Sequence, residues 1–525
     1  MAAVPGFAVE LSAPPGQPAA TAQPEAEPQW ELHGQSESVM LYHNVKGGGE
    51  TTVSDGTTFR QELGLRSEGR LGEGNAGLSF SGRATDDDRV STDHAEVTSL
   101  RAYYADSAWD LAAGDVAQTY STLVFNGALR GATATYTSQL EEQGSLRYSV
   151  IAGVQSASWK DLFEHETTHT DVVAGEIRYQ HATAQRVSFS VSAANDREGS
   201  TETALDVNAS EAMTAGIAWD WRFNRYVKSR GDLAWTSVKG ADNRRRERYA
   251  GRVDVMTRPT RELSSNFGYE RYENGFDSLV GSSTEDRERL ENTTVWNASR
   301  ELRARISLKY SRDNLDGALG ETQKIYDGLL ALDYRPEFMQ RGNIGLRLQR
   351  KRMKGRGDDT FQTNVGIDVS NRLESGWRYG ATYDYTDLEN DDDPSASNTL
   401  HTVRAQLGWK KRYSEDHNFR AGARADYSFY DVRTDDQKRF GGTLDAGWDY
   451  GRNFMLDLLL TSTNTDRDLS ADTSYELYQL IGQYRPFGDG SHVLKINLQR
   501  RDSDGGGSAE SVIEDEARIS YAFRF

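Results

Sequence analysis

The sequence predicts an all-β chain: one large antiparallel β-barrel of up-and-down topology that crosses a membrane on its strands. Three observations carry this. Apolar and polar residues alternate with period two in run after run from Trp30 to Phe525, and that period puts successive side chains on opposite faces of a strand. Only 36% of the 525 residues are apolar, yet the chain holds 25 Tyr, 18 Phe and 10 Trp. Disordered chains are poor in aromatics, so disorder does not explain the deficit. A barrel with an apolar coat and a watery lumen does. Finally, no stretch approaches the ~20 apolar residues of a membrane-spanning helix. The net charge of −19 argues against nucleic acid as a partner, because no overall positive field attracts its phosphates. The absence of cysteine excludes disulfides and C-x-x-C-H haem attachment.

In chain order, residues 1–28 come first and hold six of the ten prolines. With their Ala, Gln and Glu they read as a flexible leader on the periplasmic side. Ala2 to Ala8 lacks a charged region and a long apolar core, so it reads either as the tail of a secretory signal or as plain leader. Residues 29–525 are the barrel.

Its strands are legible one by one. Leu146, Tyr148, Val150, Ala152 and Val154 alternate with Arg147, Ser149, Ile151 and Gly153. Met213 to Phe223 alternates with Thr214 to Arg222. Ala304, Ile306 and Leu308 alternate with Arg303, Arg305, Ser307 and Lys309. Trp377 to Tyr385 and Val403 to Trp409 repeat the pattern. Most of these runs reach about the nine residues a tilted strand needs to cross a bilayer. Soluble sandwiches and propellers also alternate, but their strands are usually ~5–6 residues. Alternating runs give 24 to 28 strands, with 26 the best count. Polar outward loops are expected at 45–56, 85–94, 158–169, 274–285, 312–321, 387–398, 465–473 and 502–511. A barrel this wide cannot fill its lumen with its own side chains.

The last strand places Ala517, Ile519, Tyr521, Phe523 and Phe525 on one face and Arg518, Ser520, Ala522 and Arg524 on the other. A terminal strand of this kind resembles the assembly signal of bacterial outer-membrane β-barrels. The resemblance implies a Gram-negative outer membrane, lipid and lipopolysaccharide as surroundings, and the barrel-assembly machinery as a partner.

Tyr103 to Tyr136 is the least repetitive stretch. Gly114-Asp115-Val116, Asn126-Gly127 and Leu129-Arg130-Gly131 punctuate it. This G-D…L-R-G arrangement resembles a pattern in large export barrels such as fimbrial ushers. Two readings stand: an infolded loop, held by Asp115 and Arg130, that constricts the pore; or a longer hairpin with a β-bulge at Gly114.

Charges within alternating runs must point inward, because they are costly on the lipid face. The pore-lining candidates are Arg147, Arg303, Arg305, Lys309, Arg347, Arg378, Asp384, Arg404, Arg420, Arg424 and Asp426, with Lys410, Lys495, Asp220, Asp445 and Asp449 placed likewise. They are expected to stiffen the wall by pairing across strands, to tune which ions pass, or both. Asp86, Asp87 and Asp88, and Asp391, Asp392 and Asp393, are acidic loop clusters that read as solvated loops, weak calcium ligands or bridges to lipopolysaccharide through divalent ions. Arg244-Arg245-Arg246 reads as a solvated run, a contact to lipopolysaccharide phosphates or a group at the pore mouth. His165-Glu166-Thr167-Thr168-His169 matches H-E-x-x-H, but that chemistry needs a helix, and two adjacent Thr between strands give a polar loop instead. No nucleophile or cofactor motif stands out, so the expectation is a non-enzyme without cofactors. It is an outer-membrane channel for solutes or polymers. The alternative is a sleeve around a periplasmic multihaem cytochrome, because size, strand count and hydrophilic wall resemble the decahaem-associated (MtrB/PioB) barrels. Those near the type case carry an N-terminal C-x-x-C, absent here.

Overall fold

A computed structural model describes residues 30–525 except 48–54, 88–93, 141–143, 156–158, 160–169, 182–184, 197–208, 241–243, 282–285, 316–320, 340, 356–357, 433–435, 469–470, 489 and 506–510. The strands begin with β1 (Glu31–Lys46), β2 (Gly56–Leu71), β3 (Gly74–Thr85), β4 (Ala95–Ala105), β5 (Trp109–Ser121), β6 (Phe125–Leu140) and β7 (Gly144–Gln155). There follow β8 (Thr170–His181), β9 (Gln185–Asp196), β10 (Ala209–Arg222), β11 (Val227–Gly240), β12 (Arg245–Thr257), β13 (Leu263–Tyr272) and β14 (Arg287–Asn297). Next are β15 (Leu302–Asp313), β16 (Lys324–Tyr334), β17 (Asn343–Gly355), β18 (Asp358–Arg372), β19 (Trp377–Asn390) and β20 (Asn398–Arg412). The last are β21 (His417–Val432), β22 (Gln437–Tyr450), β23 (Phe454–Arg467), β24 (Thr473–Tyr484), β25 (His492–Asp504) and β26 (Val512–Arg524).

All 26 strands form one antiparallel sheet in which each pairs with its chain neighbours, and β26 pairs with β1 to close the wall. The seam runs from Gln35↔Arg524 to Lys46↔Ile513. At its lower end Gly34 and Phe525 exchange backbone hydrogen bonds of 2.8 and 2.9 Å.

Turns at one end of the barrel are tight and carry side-chain caps. Asp106 Oδ1 accepts from the Ala108 and Trp109 amides at 2.8 and 2.7 Å. Asn224, Thr260, Ser299 and Ser414 cap the turns after β10, β12, β14 and β20 in the same way. This is the end where β1 starts and β26 finishes. An aromatic belt rings it, with Trp377 beside Trp409 (6.3 Å between centroids) and Phe419 beside Trp448 (6.2 Å).

The register sorts the faces, since directly opposed residues share a side. Arg303, Arg305 and Lys309 of β15 oppose Asp333, Ala331 and Asp327 of β16 on the inner face. Ile306 and Leu308, between them, stand exposed on the outer face. Ile217, Leu233, Phe267, Tyr427, Leu444 and Ile519 are outward and exposed likewise. A closed wall with no free edge, wearing this apolar coat, is satisfied in a bilayer rather than in water. The barrel is therefore transmembrane.

The buried apolar side chains are unevenly placed. Apart from Val39 and Ala76, every one lies between Ala112 and Val280. Among the described residues, the buried positions beyond Val280 are polar, Gly or Pro. Hence the only apolar core among them lies inside the lumen, against β7–β13.

Candidate functional site

That core is built by a hairpin that leaves the wall. β5 pairs with β4 only from Asp110 to Gly114. β6 pairs with β7 only from Arg130 onward. Between these points β5 and β6 stay paired with each other, from Asp115↔Arg130 to Ser121↔Phe125. The departure sits on a row of glycines, Gly114–Gly131–Gly153, opposed across β5, β6 and β7. Gly114 has φ +102°, and a Cβ there would lie 2.0 Å from the Leu100 carbonyl oxygen. A side chain at this position is excluded twice, by backbone conformation and by space.

Asp115 and Arg130 sit where the hairpin turns inward. The Asp115 carboxylate accepts from the Leu100 amide at 2.6 Å and the Trp159 indole N–H at 2.9 Å. Arg130 Nε lies 3.5 Å from Asp115, and its guanidinium stacks 5.5 Å from the Trp159 ring centroid. The two charges and one indole thus tie β5 to β4, to β6 and to Trp159.

The tip lies against the inner wall. Val116, Leu123, Val124 and Phe125 are at most 1% exposed. Ser121 Oγ donates to Asp232 Oδ2 at 2.6 Å, Thr122 donates to the same oxygen at 3.1 Å, and Ser192 Oγ donates to the Val124 carbonyl at 2.9 Å. The wall makes room by carrying small side chains where it meets the hairpin. Ala174, Ser190, Ser192, Ala194, Ala212, Thr214, Ala234 and Ala250 are all buried on its inner face. A Cβ on Gly216 would come within 2.6 Å of Val124 Cγ2.

A second inward element covers the tip. The segment after β13 carries Phe276, which is buried and packs on Tyr272 with centroids 6.4 Å apart. Thr236 Oγ1 donates to the Asp277 carbonyl at 3.0 Å, and the Asn126 amide donates to the Val280 carbonyl at 3.0 Å. The sequence reading placed 274–285 among the outward polar loops. Residues 274–281 instead fold inward, because Phe276, Leu279 and Val280 find an apolar surface on the hairpin and wall.

All the charged pore-lining candidates fall on the inner face by register. Some pair across strands. Arg347 Nη2 lies 3.0 Å from Asp384, and Arg420 lies 3.2 Å from Asp449 while also contacting Asp457. Arg424 is 3.9 Å from Asp426 of its own strand. Among the described residues Arg303, Arg305, Arg378 and Arg404 are brought to no carboxylate at ion-pair distance, and Arg147 faces Arg178 across β7 and β8. Ile519, Tyr521 and Phe525 point outward and are exposed, with Phe523 on the same face.

The acidic clusters do not converge. Asp86 binds the Phe59 amide at 2.5 Å, and Asp393 caps the Ser395 amide at 3.0 Å, so both carboxylates have local work. Asp87 is buried, while Asp391 and Asp392 are exposed. Asp88 and the His165–His169 motif lie outside the described residues. Among the described residues no group of three His, Asp or Glu is placed to hold a metal. Arg245 pairs with Glu211 at 3.5 Å on the outer rim. The sequence reading missed Tyr120, Leu123, Val124 and Phe125, although the apolar Ile151, Val172 and Val238 on the otherwise polar inner face marked their seat.

No family model matches the chain, and no curated protein matches it. Three solved structures show what it is similar to. One is the siderophore receptor PirA from Pseudomonas aeruginosa, 10% identical over 95% of this chain and 81% of that chain, TM-score 0.40. Another is the translocation pore of the P pilus usher PapC, 11% identical over 94% and 99%, TM-score 0.39. A third is the outer membrane channel DcaP of Acinetobacter baumannii, 12% identical over 62% and 97%, TM-score 0.29.

Proposed function

We propose that this barrel is an outer-membrane channel of a Gram-negative bacterium through which solutes or polymers pass. One observation carries the reading: among the described residues the inward elements lie along β7–β13, and the inner face from β14 to β26 has no apolar core against it. Strands ~4.8 Å apart and tilted ~40° put a 26-stranded wall at a diameter of about 50 Å. A two-stranded hairpin about 10 Å thick lines such a lumen and narrows it without closing it. Asp115 and Arg130 hold that constriction in place. The apolar coat meets lipid and lipopolysaccharide, and the barrel-assembly machinery inserts the chain through its last strand. The test is single-channel conductance of the refolded, heat-modifiable barrel in a planar bilayer. Steady steps proportional to salt support the channel. Silence from a folded barrel counts against it.

The same open width favours a second reading, a sleeve around a periplasmic multihaem cytochrome or an export partner. Here the partner brings the haem, since this chain has no cysteine to attach one. Purification from native membranes with a haem-bearing polypeptide in fixed ratio would support the sleeve.

A further inference from the structure

From the sorting of charge between lumen and loops we infer that this channel prefers anions, an inference that rests on the channel reading above. The chain as a whole is acidic, with 80 Asp and Glu against 61 Lys and Arg. Its inner face has the opposite sign. On β15, β19, β20 and β25, the inward Arg303, Arg305, Arg378, Arg404, Lys410 and Lys495 have no carboxylate within ion-pair distance among the described residues. Several inward acids of the same wall are already neutralised: Asp384 by Arg347, and Asp449 and Asp457 by Arg420. Asp333 and Asp426, opposite Arg303 and Arg404 in the register, and Asp368 and Asp445 stand against the six cations, four charges against six.

Five of the six are also at similar heights. Arg303, Arg305, Arg378 and Lys495 lie in the first turns of upward strands, and Lys410 lies near the foot of a downward one, all toward the tight-turn end. Arg404 stands midway. An excess of one sign on a low-dielectric wall focuses the field into the lumen and raises the local concentration of the opposite ion. The acidic residues that give the chain its net charge are prominent in the loops at the other end, Asp391, Asp392 and Asp393 among them.

Screening sets the size of the effect. The Debye length is ~8 Å at physiological salt and ~30 Å at 0.01 M. In a lumen about 40 Å across, roughly two thirds of the cross-section lies within 8 Å of the wall. The preference is therefore modest at physiological salt, on the order of two- to fourfold, and rises steeply as salt falls and the whole lumen comes within one Debye length. The favoured class is small anions that keep their hydration, such as chloride, carboxylates and phosphate esters. Nothing in a lumen this wide strips water from them.

The experiment is the reversal potential of single channels under a KCl gradient, taken at a physiological and at a tenfold lower mean salt. The comparison is the combined variant Arg305→Gln, Arg378→Gln, Arg404→Gln and Lys410→Gln. The barrel should pass chloride over potassium two- to fourfold, the ratio should grow at low salt, and the variant should lose most of it, with its low-salt conductance falling in step. Heat-modifiability on a gel establishes that the variant is folded, and Arg404→Gln alone, which should lower the ratio partway, is the fallback if it is not. A ratio of one or a cation preference at the lower salt overturns the inference while leaving the channel standing. Silence overturns the channel reading and this inference with it. Salt-dependent block by an acidic protein but not by small anions points to a docking surface for that protein and overturns it also.

Discussion

Replacing Val124 by Asp should release the hairpin from the wall. Val124 is fully buried beneath Gly216 and Ala234. Its burial contributes about 1.5–3 kcal/mol, as do Val116, Leu123 and Phe125 each, so the docked face holds roughly 6–12 kcal/mol before the entropy of ordering is subtracted. A carboxylate at residue 124 forfeits one share and adds an unpaired buried charge costing several kcal/mol more. The sum is comparable with the whole docking energy, and the wall is not touched. Hairpin and covering segment together occupy about 200 Å², near a sixth of a lumen about 40 Å wide and about a fifth of the area left open. If they line the wall as described, Val124→Asp should raise single-channel conductance by about a fifth and make the current noisier, with heat-modifiability unchanged. Unchanged conductance would show that the hairpin stands outside the conducting path. A manyfold rise would show that it spans the lumen, and either result would refute the geometry.

Other perturbations reach the same features from different sides. Gly216→Leu should mimic Val124→Asp, because its side chain takes the space of Val124 Cγ2 at 2.6 Å; protease nicking near Leu123 in intact barrels reads the release. Gly114→Val, at φ +102° and 2.0 Å from the Leu100 oxygen, should lower the yield of folded barrel severalfold, since the strain cannot be relieved without breaking the β4–β5 pairing. Deleting Phe525 removes two backbone hydrogen bonds at the seam, and should slow appearance of the heat-modifiable form in a refolding time course. The Asp106 carboxyl lies below the ordinary carboxylate range because the Trp109 and Ala108 amides bind its ionised form. Its turn should hold at neutral pH and loosen only as pH falls through that lowered value, read by NMR titration against Asp106→Asn.

The wall was legible because its physics is local. A strand at a lipid–water boundary must alternate, so Ile306, Leu308 and their polar neighbours reveal their faces without any knowledge of partners. The same alternation gave the count of 26 that the sheet shows. The hairpin was only half legible. Gly114, Asp115 and Arg130 marked an irregularity, but two shapes were compatible with it. What decides between them is where β4 and β7 stop pairing, and that is non-local. The clue lay elsewhere in the chain, in Ile151, Val172 and Val238 facing a side that should be wet. The segment after β13 was misplaced because a short polar stretch with Gly and Ser looks like an outward loop until its three apolar residues find a surface.

The seam between β1 and β26 bears on how such a wall comes to exist at all. Its two halves are the first strand and the last. Every intermediate in which fewer strands have zipped carries two bare backbone edges, each a template for pairing with another chain. In lipid those edges have no water to turn to. Insertion therefore cannot proceed strand by strand from the N-terminus without a surface that shields both edges until β26 arrives, and Phe525, bonded to Gly34, completes the lower end of the ring.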